Sequence, residues 1–275
     1  CWVGLPHHTG EFPEPDKLIG QMEQKGVRAL KLYPHVFQFP VNDLSLGPLL
    51  SAMEEAGILL IIDRGQDGHP DVGISWTELR WVAETYPRLN ILLHGVRWEA
   101  TRELTPLAIR CPNIHFEFSN YQGNRMLEYW CEKIGHERLL FGTQAQTKSL
   151  GAARAYVDYS ILSSEQRNAI AGGNLARLLG VDLPKPYAAP RTDDAILARA
   201  LEGLPIEDMT VIDAHAHFTK KGSMGASRVF MNEADVAGLV ERNKRLGVDM
   251  TAASPWTGIW TDHQLGNEDT IEGMK

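Results

Sequence analysis

The chain is poor in the features that mark several whole classes of protein. Three cysteines occur in 275 residues, Cys1, Cys111 and Cys131. They are too few and too scattered for a disulfide framework or a thiolate zinc site, and they read as reduced thiols of a cytoplasmic protein. No apolar run approaches the ~18 residues that span a bilayer, and no signal-peptide pattern opens the chain. Positive charge is in deficit. Against 35 Asp and Glu stand 27 Lys and Arg, a net charge of −8 with a pI near 5.7. That balance argues against nucleic acid or an anionic membrane as the main partner. Low-complexity tracts and short-period repeats are missing too. So is an initiating Met, and the final NEDTIEGMK carries no terminating motif; the expectation is a fragment or processed form of something longer.

What is present is ordinary globular composition, 43% hydrophobic and 23% charged, which excludes a disordered chain. The length suits one barrel-sized domain or two smaller ones. Over the first ~180 residues, short apolar runs alternate with amphipathic segments, the signature of βα units around a parallel sheet. Strands are predicted at CWVGLP (1–6), VRALKLY (27–33), ILLIID (58–63), NILLHG (90–95), IHFEFS (114–119) and RLLFGT (138–143). Helices are predicted at 15–26, around 46–57, at 75–87, near 100–110 and at 124–134. Ser75 and Glu78 have the spacing of a capping box at the start of the third.

VDLPKPYAAP (181–190) is proline-rich and reads as a linker, and a short helix is predicted over 193–203. The βα pattern then resumes with MTVIDAHAHF as strand, 232–247 as helix and VDMTAASPW (248–256) as strand. Three segments follow: 1–180, a linker with a short helix over 181–208, and 209–275. Six strands lie before the linker and two after it.

VIDAHAHF (211–218) holds the strongest chemical signal. After an apolar strand, His215 and His217 are two residues apart and project to the same side. Imidazole is the commonest ligand for Zn²⁺ and related metals, so metal ligation outweighs a loop role for the pair. Asp213 supports the strand or the ligands.

Together, VIDAHAHF, GVDMTAASPW, GVRALKLYP, the LLHG of 92–95, RLLFGT and the closing IAGGNLARLLG (170–180) resemble the amidohydrolase-related family, which holds metal-dependent hydrolases and decarboxylases. The resemblance covers almost the whole chain. It implies an α/β fold, a (β/α)8 TIM-type barrel, with strands in permuted order: three to eight first, then one and two. Either the chain is a window on a tandem fusion, or it is a permuted single barrel that the C-terminal segment closes. Closure is the expectation, because six barrel strands alone leave two parallel edges open. A dimer in which strands one and two complete a neighbour's barrel also fits.

The working residues of such a barrel lie at the C-terminal ends of its strands. The resemblance implies His215 and His217 as metal ligands. His94 stands where the family supplies a strand-six histidine, to bind metal or orient substrate; a buried hydrogen-bonded histidine is the plain alternative. Two positions depart from the pattern. Asp63 replaces a strand-five histidine, as a fourth ligand or a base. Gln144 stands where the family has the aspartate that binds metal and takes a proton from water, and an amide cannot act as that base. Lys31 and His35 close the strand-four equivalent, Lys31 either matching a family lysine or serving as an interior cation. His7 and His8 either face the mouth or lie in a solvated loop. Trp256 joins Lys31, His35 and His7 as a substrate-binding candidate. Glu117 alternates with apolar neighbours and, if buried, needs a partner such as Lys31 or Arg97.

The function implied is metal-dependent hydrolysis of a small carboxylate, lactone or amide by metal-activated water, with zinc first and manganese second as cofactor. A family decarboxylase, or a degenerate non-catalytic barrel that pairs with a homologous subunit, is the alternative. A small-molecule substrate and a homo-oligomer or a homologous subunit are the partners expected.

Overall fold

A computed structural model of the protein describes residues 1–64, 74–145, 147–183, 185, 193–202, 204–205, 209–220 and 230–274. Six short apolar runs pair in chain order into one parallel sheet: β1 (Trp2–Gly4), β2 (Ala29–Leu32), β3 (Leu59–Asp63), β4 (Ile91–His94), β5 (Ile114–Glu117) and β6 (Leu139–Leu140). Each of the first five is followed by a helix: α1 (Pro15–Gln24), α2 (Asp43–Ala56), α3 (Trp76–Thr85), α4 (Thr101–Arg110) and α5 (Met126–Ile134). The predicted capping box is present. Ser75 Oγ accepts the Glu78 N–H at 3.1 Å, and Glu78 Oε2 accepts the Ser75 N–H at 2.8 Å.

Side chains alternate across a strand, and both faces of β2, β3 and β4 are largely apolar and buried, as a parallel sheet requires. On one face Ala29, Leu59, Leu92 and Leu140 form a buried cluster with Leu178, and Ile61, Leu175 and Leu179 pack against it. The last three leucines come from α8 (Asn174–Leu179), which follows α6 (Leu150–Asp158), α7 (Ser164–Asn168) and a single wide turn at Ala169–Gly173. The helix foreseen in IAGGNLARLLG is therefore real, and it is part of the core. The same sheet face ends, at the C-terminal ends of the strands, in Lys31, Asp63, His94 and Glu117.

The chain divides into two compact units. The first holds Cys1–Tyr121, Trp130–Ser149 and Ser163–Pro184; the second holds Gln122–Tyr129, Leu150–Leu162 and Lys185–Lys275. The second unit contains α9 (Ala195–Leu201), β7 (Ile212–Phe218), α10 (Val236–Leu246), β8 (Met250–Pro255), α11 (Trp256–Trp260) and α12 (His263–Gly273). Much of the predicted linker, residues 184 and 186–190, lies outside the described residues.

Closure of the six-stranded sheet by the last two strands is not what is found. β7 and β8 pair with each other as a separate two-stranded parallel sheet. Five residue pairs join β7 to β8, from Ile212↔Met250 to Phe218↔Pro255, and among the described residues the outer edge of each pairs with no other strand. Among the described residues no helix is long and apolar enough to cross a membrane.

Candidate active site

Two groups of polar side chains stand at strand ends, one in each unit. In the first unit, parallel register sets Asp63 of β3 directly beside His94 of β4. Both project from the same face, and His94 Nδ1 lies 2.6 Å from Asp63 Oδ2. Lys31 Nζ is 3.0 Å from the same nitrogen and 3.8 Å from Asp63 Oδ2. A ring nitrogen carries at most one hydrogen, and a carboxylate can only accept. Asp63 therefore takes the Nδ1–H, and Lys31 is left to pair with the carboxylate. In the neutral ring the lone pair then sits on Nε2, whose neighbour is Glu117 Oε1 at 3.7 Å. His35 Nε2 approaches the other oxygen of Asp63 at 3.9 Å. With Asp63 only 3% exposed, its charge is compensated by three cationic or potentially cationic neighbours, as burial demands.

Glu117, also buried, is not partnered by Lys31 or Arg97. Its carboxylate accepts the Ser119 N–H at 2.7 Å, the Ser119 hydroxyl at 3.0 Å and the Gly95 N–H at 3.4 Å, while Arg97 pairs with Glu99. Gly142, two residues past β6, makes room for it: a Cβ there would lie 2.1 Å from Glu117 Oε2. Loop backbone, rather than a cation, satisfies this carboxylate.

The remaining first-unit candidates are spread more widely. His7 is largely buried in a short turn, its Nε2 3.4 Å from Glu14 and its ring stacked on His8 at 4.0 Å, while His8 is exposed. His7 is thus neither solvated nor part of the Asp63 cluster. Gln144 adopts a left-handed backbone, φ 49°, uncommon for a residue with a side chain. Its Oε1 is buried without a hydrogen-bond partner, as are Nδ1 of His35 and Nδ1 of His7.

In the second unit, His215 and His217 converge. Their Nε2 atoms lie 3.0 Å apart. A register shift between Asp213 and Ala216 marks a bulge at this end of β7, a common device for aiming a side chain. Asp213 Oδ1 accepts the His215 N–H at 2.9 Å, which fixes the bulge. His217 Nδ1 lies 3.3 Å from the Ser254 carbonyl and 3.1 Å from its hydroxyl. The carbonyl can only accept, so Nδ1 carries the hydrogen and Nε2 presents its lone pair. Trp256 stacks on the His217 ring, centroids 4.2 Å apart.

This pair fits a divalent cation. At 3.0 Å the two rings share an N–H···N hydrogen bond, and a spread to ~3.4 Å is what two metal–nitrogen bonds of ~2.1 Å at the tetrahedral angle need. The Asp63 cluster fits less well, since Lys31 occupies the space beside its donors. Among the described residues no group of three or more His, Cys, Asp or Glu is arranged to hold a metal.

Sequence reasoning did not single out Ser254, Ser119 or Gly142. Ser254 was within reach, because it pairs in register with His217. Ser119 and Gly142 act through loops whose paths no periodicity reveals.

Several solved structures align with part of the chain. A TIM-barrel protein from Bordetella bronchiseptica aligns with TM-score 0.51 and 23% identity over 60% of this chain and 61% of that one. A dihydroorotase from Campylobacter jejuni gives 0.47 and 14% over 66% and 64%. A dihydroxybenzoic acid decarboxylase from Polaromonas sp. JS666 with bound manganese gives 0.44 and 15% over 60% and 64%. The chain spans less than two thirds of the length of each. The first likeness makes the fold one of TIM-barrel type. No protein of curated function matches. The model of the family described as amidohydrolase matches residues 2–181, about two thirds of the 275: the chain belongs to the amidohydrolase family.

Proposed function

We propose that the chain serves a metal-dependent amidohydrolase-type reaction on a small carboxylate, lactone or amide, with His215 and His217 as the metal ligands. The observation that carries this is the pair of Nε2 atoms 3.0 Å apart, one of them oriented by Ser254. A bound Zn²⁺ or Mn²⁺ would lower the pKa of a water and polarise a carbonyl. Ser254 holds the His217 tautomer, and Asp213 holds the bulge that carries His215. In the first unit the Asp63–His94 pair has the geometry of an oriented proton carrier: Asp63 fixes the ring, and Nε2 is the nitrogen left to exchange a proton. In this reading Asp63 orients His94 rather than binding metal. Within the first unit Lys31 and His35 lie against Asp63 and offset its charge; within the second, Trp256, packed on the His217 ring, offers a flat wall beside the ligand pair. The acidic, cysteine-poor composition supports a cytoplasmic protein with a small-molecule substrate.

Metal analysis of the purified protein tests the ligand assignment. About one equivalent of Zn²⁺ or Mn²⁺ is expected, lost in the His215→Ala/His217→Ala double variant and retained in His94→Ala. Metal content unaffected by the double change removes the proposal.

A second reading is favoured by Gln144, an amide where the reaction needs a base: a catalytically silent barrel that supports a homologous subunit. It predicts no turnover of a panel of esters, lactones and amides by metal-loaded protein, and turnover restored by Gln144→Asp with Asp63→His. Decarboxylation, which needs a proton donor rather than a base for water, is the outcome if carboxylates lose CO₂ without any change at Gln144.

A further inference from the structure

Immediately after Asp63 lies a charged side chain that the reaction outlined above does not use. Arg64 follows β3, its N–H donating to the His94 carbonyl at 3.0 Å. Its guanidinium lies over the Trp76 ring, 3.9 Å from the centroid. Among the described residues no carboxylate comes within 4 Å of it; Glu103 acts on it only at longer range. Its Nε is buried with no hydrogen-bond partner, and so is Nε1 of Trp76. Burial lowers the Arg64 pKa from its ordinary value, with Glu103 opposing.

A partly buried cation normally has an anion beside it. Among the described residues none is present, and two neighbouring N–H donors, Arg64 Nε and Trp76 Nε1, also lack acceptors. A guanidinium held over a ring face keeps the N–H groups along its edge for other partners. A flat stacked fork is the arrangement that holds a carboxylate by two parallel hydrogen bonds. Lys31 and His35 are engaged with Asp63 and do not compete for this role.

We propose that Arg64, braced by Trp76, is a carboxylate-binding subsite at the C-terminal ends of β3 and β4. It would hold a carboxylate of a ligand bound at the strand ends of the first unit. The substrate part of this inference rests on the reading of the strand ends as the reacting end; the anion site itself does not.

The test is a titration of the full chain with acetate and with benzoate, at constant ionic strength kept with chloride, followed by NMR of the Arg64 Nε–H and Trp76 Nε1–H signals. Saturable shifts of both signals are expected with either acid and not with chloride. Arg64→Met should weaken binding at least about tenfold, and Arg64→Lys, which keeps the charge but not the fork, should weaken it nearly as much. The His215→Ala/His217→Ala variant should bind the acids as the unmodified chain does, so loss of the metal reading leaves this result standing. Absence of saturable shifts in the unmodified chain, equal shifts with chloride, or full affinity in Arg64→Met each overturns the subsite. Inorganic phosphate bound in preference to both acids would reassign it as a phosphate site and overturn the substrate-carboxylate role.

Discussion

At the residue scale, the Glu117 carboxylate and the missing side chain of Gly142 are two halves of one fit. A Cβ at 142 would meet Glu117 Oε2 at 2.1 Å and its Cδ at 2.9 Å, so Gly142→Ala must push the carboxylate away from the Ser119 N–H that it accepts at 2.7 Å. Overpacking and an unmade buried hydrogen bond each cost ~1–3 kcal/mol. A loss of ~2–4 kcal/mol by urea unfolding is expected, whereas Gly20→Ala, inside α1 with nothing near its Cβ, should gain ~0.5–1 kcal/mol. His115 shows what burial does to a titratable group on the same sheet face. It is 4% exposed, and its imidazole is held down to about 4, first by burial and then by Arg177 and Arg138. Asn90 Oδ1 accepts from its Nε2 at 3.2 Å, and Nδ1 has no partner. A histidine that protonates near 6.5 unfolded but near 4 folded makes the unfolded state bind more protons between those values. Stability therefore falls as pH drops from ~6.5 to ~4, by up to ~3 kcal/mol. Unfolding free energies across that window should show this slope, and His115→Leu should flatten it; an unchanged slope in the variant would place the titration elsewhere.

At the scale of elements, the start of α3 ties several segments together. Ser75 and Glu78 cap each other, and Glu78 Oε1 also accepts the Val41 N–H at 3.3 Å from the loop before α2. Ser75→Ala removes one partner and should cost ~1 kcal/mol. Glu78→Ala also strands the Val41 N–H and should cost roughly twice that. Equal losses would mean that the Val41 contact contributes nothing. This cap was legible from the S-x-x-E spacing alone. So were the six leading strands, because runs such as ILLIID leave no polar face and force a strand buried on both sides. α6 and α7 were not foreseen, since Leu150–Asp158 and Ser164–Asn168 are short and carry no apolar stripe long enough to declare a helix. The HxH pair was legible because spacing on a strand fixes sidedness. The partners of Glu117 were not, because they are backbone N–H groups brought in by loops. Asp63 was legible as a departure from the family's pattern, but its role depends on strand register, which places it beside His94.

For the whole molecule, the question is what the open edges of the six-stranded sheet do. An all-parallel sheet is ordinarily covered or closed, because an unpaired edge is a template for another strand. Among the described residues β1 and β6 each have one strand neighbour. Both are very short, three and two residues, which limits but does not abolish edge pairing. Val3, in the middle of β1, is 47% exposed, an apolar β-branched side chain on an open edge. The net charge of −8 opposes association through long-range repulsion, and salt weakens that repulsion. An edge left unpaired in solution would make the chain self-associate through β1, more strongly as salt is raised. Sedimentation velocity over a range of concentrations should show a reversible rise in mean mass, larger at 0.5 M than at 0.05 M salt. Val3→Lys, a charge placed on an edge strand, should suppress it without loss of thermal stability. A single monomeric species at every concentration and both salt levels would show that the short edges are sufficient protection on their own.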